Sequence, residues 1–258
     1  MSYYYVYNDF QIIRAYGADC IKFLQGQLTN DVTRLSHNEP MQLNALCNQK
    51  GRVITLFFTR YLAQDELLFA LPTALADHAL SALRKYAVFS KVSFDILQDY
   101  QLVYSDHEKS PGFLFQHAII NTSETSIRST LEVETVQKSN ICQQLPIITL
   151  HNTEQFLPAE LNLDQFNAVN YQKGCFMGQE IIARMKYRGT FKKMLVSIET
   201  ESVIVSGDKL QDPEGKKVAD VVNQVNIHNH SYILAVFGNV LENTPILLHG
   251  DIRANIIA

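Results

Sequence analysis

Tryptophan is absent from the 258-residue chain and cysteine is scarce, with Cys20, Cys47, Cys142 and Cys175 each at least 27 positions from the next. That spacing leaves no CxxC pair, which excludes a zinc ribbon, a thioredoxin-type redox site and an obvious cluster ligand set. Scattered thiols suit a reducing cytoplasm. Charged residues make up only 19% and hydrophobic ones 47%, which excludes disorder driven by charge and low hydrophobicity. No uncharged apolar run reaches the roughly 18 to 20 residues needed to span a bilayer. The start, Met1-Ser-Tyr-Tyr-Tyr-Val-Tyr-Asn-Asp9, has neither a basic n-region nor an apolar h-region. Neither a membrane anchor nor a signal peptide is therefore expected, and a cytoplasmic location is. The two commonest phosphate-loop patterns, GxGxxG and GxxxxGK[ST], are also missing. A net charge of −4 excludes a generic nucleic-acid coat, which would be strongly basic.

What is present reads as α+β. Ile21, Leu24 and Leu28 lie at helical spacing within residues 17–35. Val53 to Leu62 and Leu67 to Leu71, separated by Ala63-Gln-Asp-Glu66, predict a β-hairpin ended by Pro72. Leu75, Ala79, Leu83 and Tyr86 predict a second helix, and Ala87 to Phe94 returns toward strand character. Between 95 and 140 the signals are weak, with strand-like pieces at Gln101 to Tyr104 and Phe113 to Ile120. Beyond about residue 188 short strands are expected at Met194 to Ile198, Val203 to Val205, Val218 to Val222, Tyr232 to Phe237, Ile246 to Leu248 and Ile252 to Ile257. With a turn at Asp212-Pro-Glu-Gly215, they suggest a small barrel or sandwich.

The chemistry concentrates in Asn170-Tyr-Gln-Lys-Gly-Cys-Phe-Met-Gly-Gln-Glu-Ile-Ile-Ala-Arg-Met-Lys-Tyr-Arg-Gly189. Gly174 and Gly178 permit a tight turn or a close approach of backbone to a ligand. A helix from about Gly178 would align Glu180, Arg184 and Arg188 on one face, with Ile181 and Met185 toward the core. Cys175 lies just ahead of that helix and two residues from Lys173, features that each favour a thiolate. A small buried hydrophobe at a turn is the competing reading of Cys175. No histidine lies within 20 residues to serve as a protease-type base. Residues 173–193 hold six basic side chains against one acid, so the window carries +5 and the remainder −9. An anionic ligand or an ordinary solvated helix face would each account for it. Asn48-Gln-Lys-Gly-Arg-Val53 reads as a turn before a strand, with Lys50 and Arg52 as minor anion candidates. His228-x-His230 lacks a third ligand, so no metal site is expected.

Three separated stretches resemble the YgfZ-type folate-binding proteins, relatives of the glycine-cleavage T-protein. They are Gly17-Ala-Asp with Phe23-Leu-Gln-Gly-Gln-Leu-Thr-Asn-Asp-Val32, then Leu83-Arg-Lys-Tyr-Ala-Val-Phe-Ser-Lys-Val92, then Lys173-Gly-Cys-Phe-Met-Gly-Gln-Glu180 with Ala183-Arg and Arg188-Gly. The last is similar to the family's signature, Lys-Gly-Cys-aromatic-x-Gly-Gln-Glu. The resemblance implies interleaved α+β subdomains of the T-protein type over residues 1–188 and a C-terminal β-barrel over 189–258. It implies tetrahydrofolate or a one-carbon derivative as cofactor, with Cys175 and Lys173 as the catalytic pair. Gly174, Phe176, Gly178, Gln179, Glu180 and Arg184 are implied to contact the cofactor, with Phe10 near a position where some members carry tryptophan. The second such position aligns near Val136. The T-protein's own Asn-containing strand end is replaced by Leu71-Pro72, and Asp77 lies near its catalytic aspartate without matching its register.

The resulting expectation is a tetrahydrofolate-binding accessory protein that supports iron–sulfur enzymes, tRNA-thiolating ones among them, through transient contacts and without stable nucleic-acid binding. The alternatives are a folate-dependent aminomethyltransferase and a module that docks RNA or a protein on its basic helix.

Overall fold

The computed structural model describes residues 3–106, 114–188, 193–204, 209–238, 246–248, 250 and 252–257. The elements run β1 (Tyr4–Val6), β2 (Phe10–Tyr16), α1 (Cys20–Gln27), β3 (Met41–Cys47), β4 (Val53–Ala63), β5 (Glu66–Pro72), α2 (Thr73–Arg84), β6 (Ser93–Leu97), β7 (Tyr100–Ser105), β8 (His117–Asn121), α3 (Val133–Cys142) and α4 (Gln179–Arg188). There follow β9 (Met194–Thr200), β10 (Lys209–Gln211), β11 (Lys217–Ile227), β12 (His230–Phe237), β13 (Ile246–Leu248) and β14 (Ile252–Ile256). The expected α+β class holds, with a barrel-like sheet at the C-terminal end. Two compact units divide the chain: Met1–Leu131, Ile148–Pro158 and Leu163–Arg184 form the first, and Glu132–Ile147, Ala159–Asn162 and Met185–Ala258 the second.

The first unit is built on an antiparallel sheet of order β3-β4-β5-β2-β6. The expected hairpin is its β4-β5 pair, whose Phe57 and Phe69 rings stack with centroids 4.7 Å apart. In α2 the buried residues are Leu75, Ala76, Ala79, Leu80 and Leu83, one apolar stripe at helical spacing. Four of these join Phe23 and Leu24 of α1 over the Phe57–Phe69 layer. Helix α1 stops at Gln27, short of the expected Leu28, because Leu28 turns extended (φ −99°, ψ 154°) and bridges Leu46. Residues 87–92 form turns where strand was expected. Val88 is 73% and Phe89 100% exposed, so this apolar run finds no sheet partner and β6 begins only at Ser93.

A smaller sheet, β1-β7-β8, carries a buried aromatic cluster around His117. His117 stacks on Phe58 with centroids 4.6 Å apart and on Tyr7 at 5.6 Å. Its Nδ1 lies 2.6 Å from the Phe115 carbonyl, which can only accept, so Nδ1 carries the proton and Nε2 accepts from the Tyr7 hydroxyl at 2.8 Å. Burial pulls the imidazole down to about 4, the Phe115 contact opposing it.

The second unit is an antiparallel sheet of order β10-β11-β12-β9-β14-β13 around Ile198, Ile233, Ala235, Phe237 and Ala254. Helix α3, unread in the sequence, is tied to it by the Ser197 hydroxyl donating to the Ile141 carbonyl at 2.5 Å and by Lys138 donating to the Tyr232 hydroxyl at 2.8 Å. The sequence concealed α3 because its buried face is only Val136, Asn140 and Ile141. Strands β9, β11, β12, β13 and β14 fall where expected, and Asp212–Gly215 makes its turn through Gly215 N–H to Asp212 O at 2.9 Å. Val203 and Ile204 are not in a strand, while Val205 and Phe113 lie outside the described residues.

The neutral, buried His117 makes stability depend on acid. Its folded pKa is depressed, so between pH 6.5 and about 4 the unfolded chain binds a proton that the folded chain refuses. Stability from this group is intact above pH 6.5 and falls by up to about 3 kcal/mol as pH drops to 4. Urea denaturation across that range should show the loss, and His117→Phe should flatten it; an unchanged pH slope in the variant would refute the assignment.

Candidate functional site

The segment following α1 is the platform of the site. Thr29 is fully buried, and its hydroxyl accepts from Ala45 N–H at 2.9 Å and donates to the Ala168 carbonyl at 2.7 Å. Asn30 donates its backbone N–H to Asn44 Oδ1 (3.2 Å) and its side-chain amide to the Leu43 carbonyl (3.1 Å). Asp31 accepts from Gln25 Nε2 at 2.9 Å and from the Thr33 hydroxyl and N–H at 2.6 and 3.1 Å. Burial alone would raise the Asp31 carboxyl, but the hydrogen bonds from Thr33 and Gln25 together hold it below its ordinary value. Every polar group named here is satisfied, so the platform is rigid without being apolar.

The glycine-flanked Cys-Phe-Met loop is pinned to that platform mainly through backbone oxygens. Asn170 N–H donates to the Thr29 carbonyl at 2.9 Å, and the Asn170 side chain accepts from Gln172 and Lys173 N–H at 2.9 and 3.1 Å. The Lys173 ammonium then reaches the Leu28 and Asn30 carbonyls at 2.8 and 2.7 Å and lies 5.4 Å from the centroid of the Phe176 ring. Burial pushes Lys173 down to about 8, against the pull of Asp31. Met177 N–H donates to the Gly26 carbonyl at 3.0 Å. The Gln179 side chain folds back to accept from Phe176 N–H at 3.3 Å, closing the loop onto the start of α4.

Between these anchors Cys175 is exposed. Phe176 beside it is buried, and the Lys173 ammonium is spent on carbonyls of the platform. Of the other thiols, Cys20 and Cys47 are buried and Cys142 is half-buried. Burial, helped by Asp65, raises Cys20 to about 12; burial also raises Cys47, and Cys142 is raised by burial with Lys138 opposing. A free cysteine is usually a small buried hydrophobe, so a solvent-facing thiol on a pinned loop is the exception that suits reaction or ligation.

Two glycines from distant parts of the chain make a contact that admits no side chain. Gly178 has φ +77°, and a β-carbon there would meet the Asn48 carbonyl oxygen and Gly51 Cα, each at 2.7 Å. Gly51, with φ +71°, would meet Ile182 and the Gly178 carbonyl at 3.1 and 3.3 Å. At Gly178 the structure shows a close approach to the Asn48–Arg52 turn. Gly174, with nothing within 4 Å of a β-carbon, is open. The turn has the expected form: Asn48 N–H donates to Arg52 O at 2.9 Å, and its side chain accepts from Lys50 and Arg52 N–H at 2.9 and 3.0 Å. Arg52 itself donates to the Gln155 carbonyl at 2.6 Å.

This contact also sets the core-facing residue of α4, which is Ile182 at 1% exposure and not the expected Ile181, at 37%. Beside it opens a cavity of about 400 Å³ whose lining includes Gln27, Lys50, His78, Tyr86 and Met177. Each of the three family-like stretches thus reaches the same space, through Gln27, through Lys85 and Tyr86, and through Met177.

The residues assigned to the cofactor divide into two sets. Phe176, Gly178 and Gln179 take part in packing and loop closure, while Gly174, Cys175, Glu180 and Arg184 are exposed. Phe10 stands apart, pairing with Pro72 and packing on Tyr7 with ring centroids 4.8 Å apart. Of the basic window, Lys173 is mostly buried and Lys193 pairs with Glu160 at 3.1 Å, leaving Arg184 and Lys186 exposed. The Arg188 side chain and Lys192 lie outside the described residues. Among the described residues no group of three or more His, Cys, Asp or Glu is placed to hold a metal ion, and no helix is long and apolar enough to cross a membrane. The sequence missed Asn44, Thr29 and Glu154 as parts of the site, and only the polar run Thr29-Asn30-Asp31 gave a local signal for them.

No protein-family model matches the chain. By sequence, an uncharacterized protein of Haemophilus influenzae is 30% identical, over 94% of this chain and 91% of that protein. The tRNA-modifying protein YgfZ of Hamiltonella defensa is 32% identical over 73% of this chain and 67% of its own length. The YgfZ of Yersinia pestis (strain Pestoides F) is 27% identical over 93% and 86%. In structure, the glycine cleavage system aminomethyltransferase T from Bartonella henselae matches all of this chain and 85% of its own with a TM-score of 0.77 at 12% identity. The fold is therefore of the glycine-cleavage T-protein type. Within that class, the chain belongs to the YgfZ family.

The two glycines of the motif should separate cleanly on substitution. Gly178→Ala should cost at least about 2 kcal/mol in urea unfolding, because positive φ and a backbone clash act together, whereas Gly174→Ala should stay within about 0.5 kcal/mol. Equal losses at both positions would contradict the packing described.

Proposed function

We propose that this protein is a tetrahydrofolate-binding accessory factor that supports iron–sulfur enzymes, tRNA-thiolating enzymes among them, with Cys175 as its working thiol. The observation that carries the reading is the exposed Cys175 on a loop fixed by Lys173 on one side and Met177 on the other. A fixed loop holds a thiol at low entropic cost for attack or ligation, and an exposed one is reachable by a partner protein. A single thiol cannot hold an iron–sulfur cluster alone, so further ligands would come from the partner or a small molecule. The relatives named as tRNA-modifying proteins supply the tRNA part of the reading.

Tetrahydrofolate or a one-carbon derivative would supply a carrier for one-carbon units. In this chain the exposed Arg184 would pair with the glutamate tail, and the exposed Glu180 would accept from pterin N–H groups. Lys173 serves as a positioning residue, its ammonium holding the loop and not the cofactor. The T-type fold favours a second reading, a tetrahydrofolate-dependent one-carbon transferase. Folate-dependent release of one-carbon units from an aminomethyl donor would establish that reading, and its absence would remove it.

The thiol is tested in a strain lacking its own homologue. Cys175→Ala should fail to restore iron–sulfur enzyme activity where the unaltered chain succeeds; full restoration would sink the accessory role as stated. The cofactor is tested separately by calorimetric titration with tetrahydrofolate and 5-formyltetrahydrofolate, where micromolar binding weakened by Arg184→Ala is expected. Absence of heat with either folate would leave a thiol motif working without a pterin.

A further inference from the structure

We propose that the turn following α2 is a docking tip: Phe89 and Val88 enter an apolar cleft of a partner protein whose rim is acidic, and Arg84, Lys85 and Lys91 pair with that rim. The partner is an iron–sulfur enzyme served by the Cys175 thiol, so the inference rests on the accessory reading above.

Single apolar side chains at a surface are ordinary. Two adjacent ones this far out are not: Phe89 is fully exposed, and Val88 beside it nearly so. The tip is also fixed. Ala87 N–H donates to the Arg84 carbonyl at 3.2 Å, and Ser90 N–H to the Ala87 carbonyl and Val92 N–H to the Ser90 carbonyl at 2.9 Å each. Behind it, Lys91 N–H donates to the Asp19 carboxylate at 2.8 Å while its carbonyl accepts from Asp19 N–H at 3.2 Å. One end of the turn is therefore held by α2 and the other by the residue before α1, so a partner has little backbone to order on binding. Aromatic side chains presented in this way are the anchors of small interfaces.

Charge defines the complement. Residues 84–91 carry three cations and no acid. Arg84, Lys85 and Lys91 are exposed, and none of them pairs with a carboxylate among the described residues. Asp19, the acid that touches the segment, is committed to Lys91 N–H. An apolar point in a positive collar is complementary to an apolar cleft with a carboxylate rim. A nucleic acid would also satisfy the cations, but Val88 has no ring to stack on a base, so the aliphatic–aromatic pair favours a protein cleft. Position favours the same partner. Lys85 and Tyr86, just before the tip, line the same cavity as Met177, two residues from Cys175. A protein seated on Phe89 thus lies beside the loop that carries the thiol.

The test measures binding of the whole chain to a purified tRNA-thiolating iron–sulfur enzyme by biolayer interferometry. Phe89→Ser and Arg84→Glu/Lys91→Glu should each weaken it at least about tenfold, Phe89→Leu should weaken it less, and the affinity of the unaltered chain should fall as salt is raised. An unchanged melting temperature and an unchanged rate of Cys175 alkylation by iodoacetamide would show that the variants keep their fold and thiol site. If the unaltered chain does not bind, or if Phe89→Ser binds as well as it does, the inference is overturned. Phosphatidylglycerol vesicles and a tRNA transcript run in parallel: loss of binding to either in Phe89→Ser, with no binding to the enzyme, would overturn the protein cleft and assign the tip to that surface. In the strain lacking its own homologue, Phe89→Ser should fail to restore iron–sulfur enzyme activity, as Cys175→Ala should. Restoration by Phe89→Ser but not by Cys175→Ala would overturn the tip alone and leave the accessory reading intact, whereas restoration by both would remove that reading as well.

Discussion

Between Gly51 and Gly178 two stretches of backbone approach so closely that no β-carbon fits. Most of the site depends on this contact. It seats the start of α4 against the Asn48–Arg52 turn, turns Ile182 inward and brings Met177 to the cavity wall. The loop carrying Cys175 is consequently fixed from both ends: by Gly178 on the turn, and by Lys173 on the Leu28–Asn30 carbonyls. Positive φ at both glycines is a local conformational cost that only a well-determined surrounding can sustain.

Electrostatics follow from the same arrangement. An ammonium in a mostly buried position would be strongly destabilised if alone, but at Lys173 two carbonyl dipoles, the Phe176 ring and nearby Asp31 replace the lost water. Asp31 is in turn kept ionised by Gln25 and Thr33. The positive charge that the sequence suggests for an anionic partner is thus partly withdrawn into the scaffold. The charge still exposed in the first unit sits elsewhere, Arg184, Lys50 and Lys85 among its carriers.

Much of the fold was legible because apolar spacing recorded it: the β4-β5 hairpin, α2 and most strands of the second unit fall where periodicity put them. The motif residues were legible as a group, and the cysteine the sequence singled out, Cys175, is exposed. Their roles were less so. Nothing local reveals that Gly178 packs on Gly51, over a hundred residues earlier, or that the Gln179 side chain folds back on Phe176 N–H. Ile181 and Ile182 are chemically identical neighbours, and only the direction of helix entry chooses between them. Helix α3 has too thin an apolar face to register, and Val88 and Phe89 are apolar yet exposed, so composition misled in both directions.

The acceptors for Lys173 and Met177 are main-chain oxygens of residues 26, 28 and 30. A carbonyl oxygen is supplied by whatever amino acid occupies the position, so the tether is asymmetric under genetic drift. On the lysine side a single exchange abolishes it, while on the acceptor side the tether itself asks only for the local path of the chain, the side chains of Leu28 and Asn30 being held by their own burial and hydrogen bonds. An exchange at Gly26, Leu28 or Asn30 would therefore reach the thiol only by altering the course of the chain, whereas an exchange at Lys173 would reach it directly.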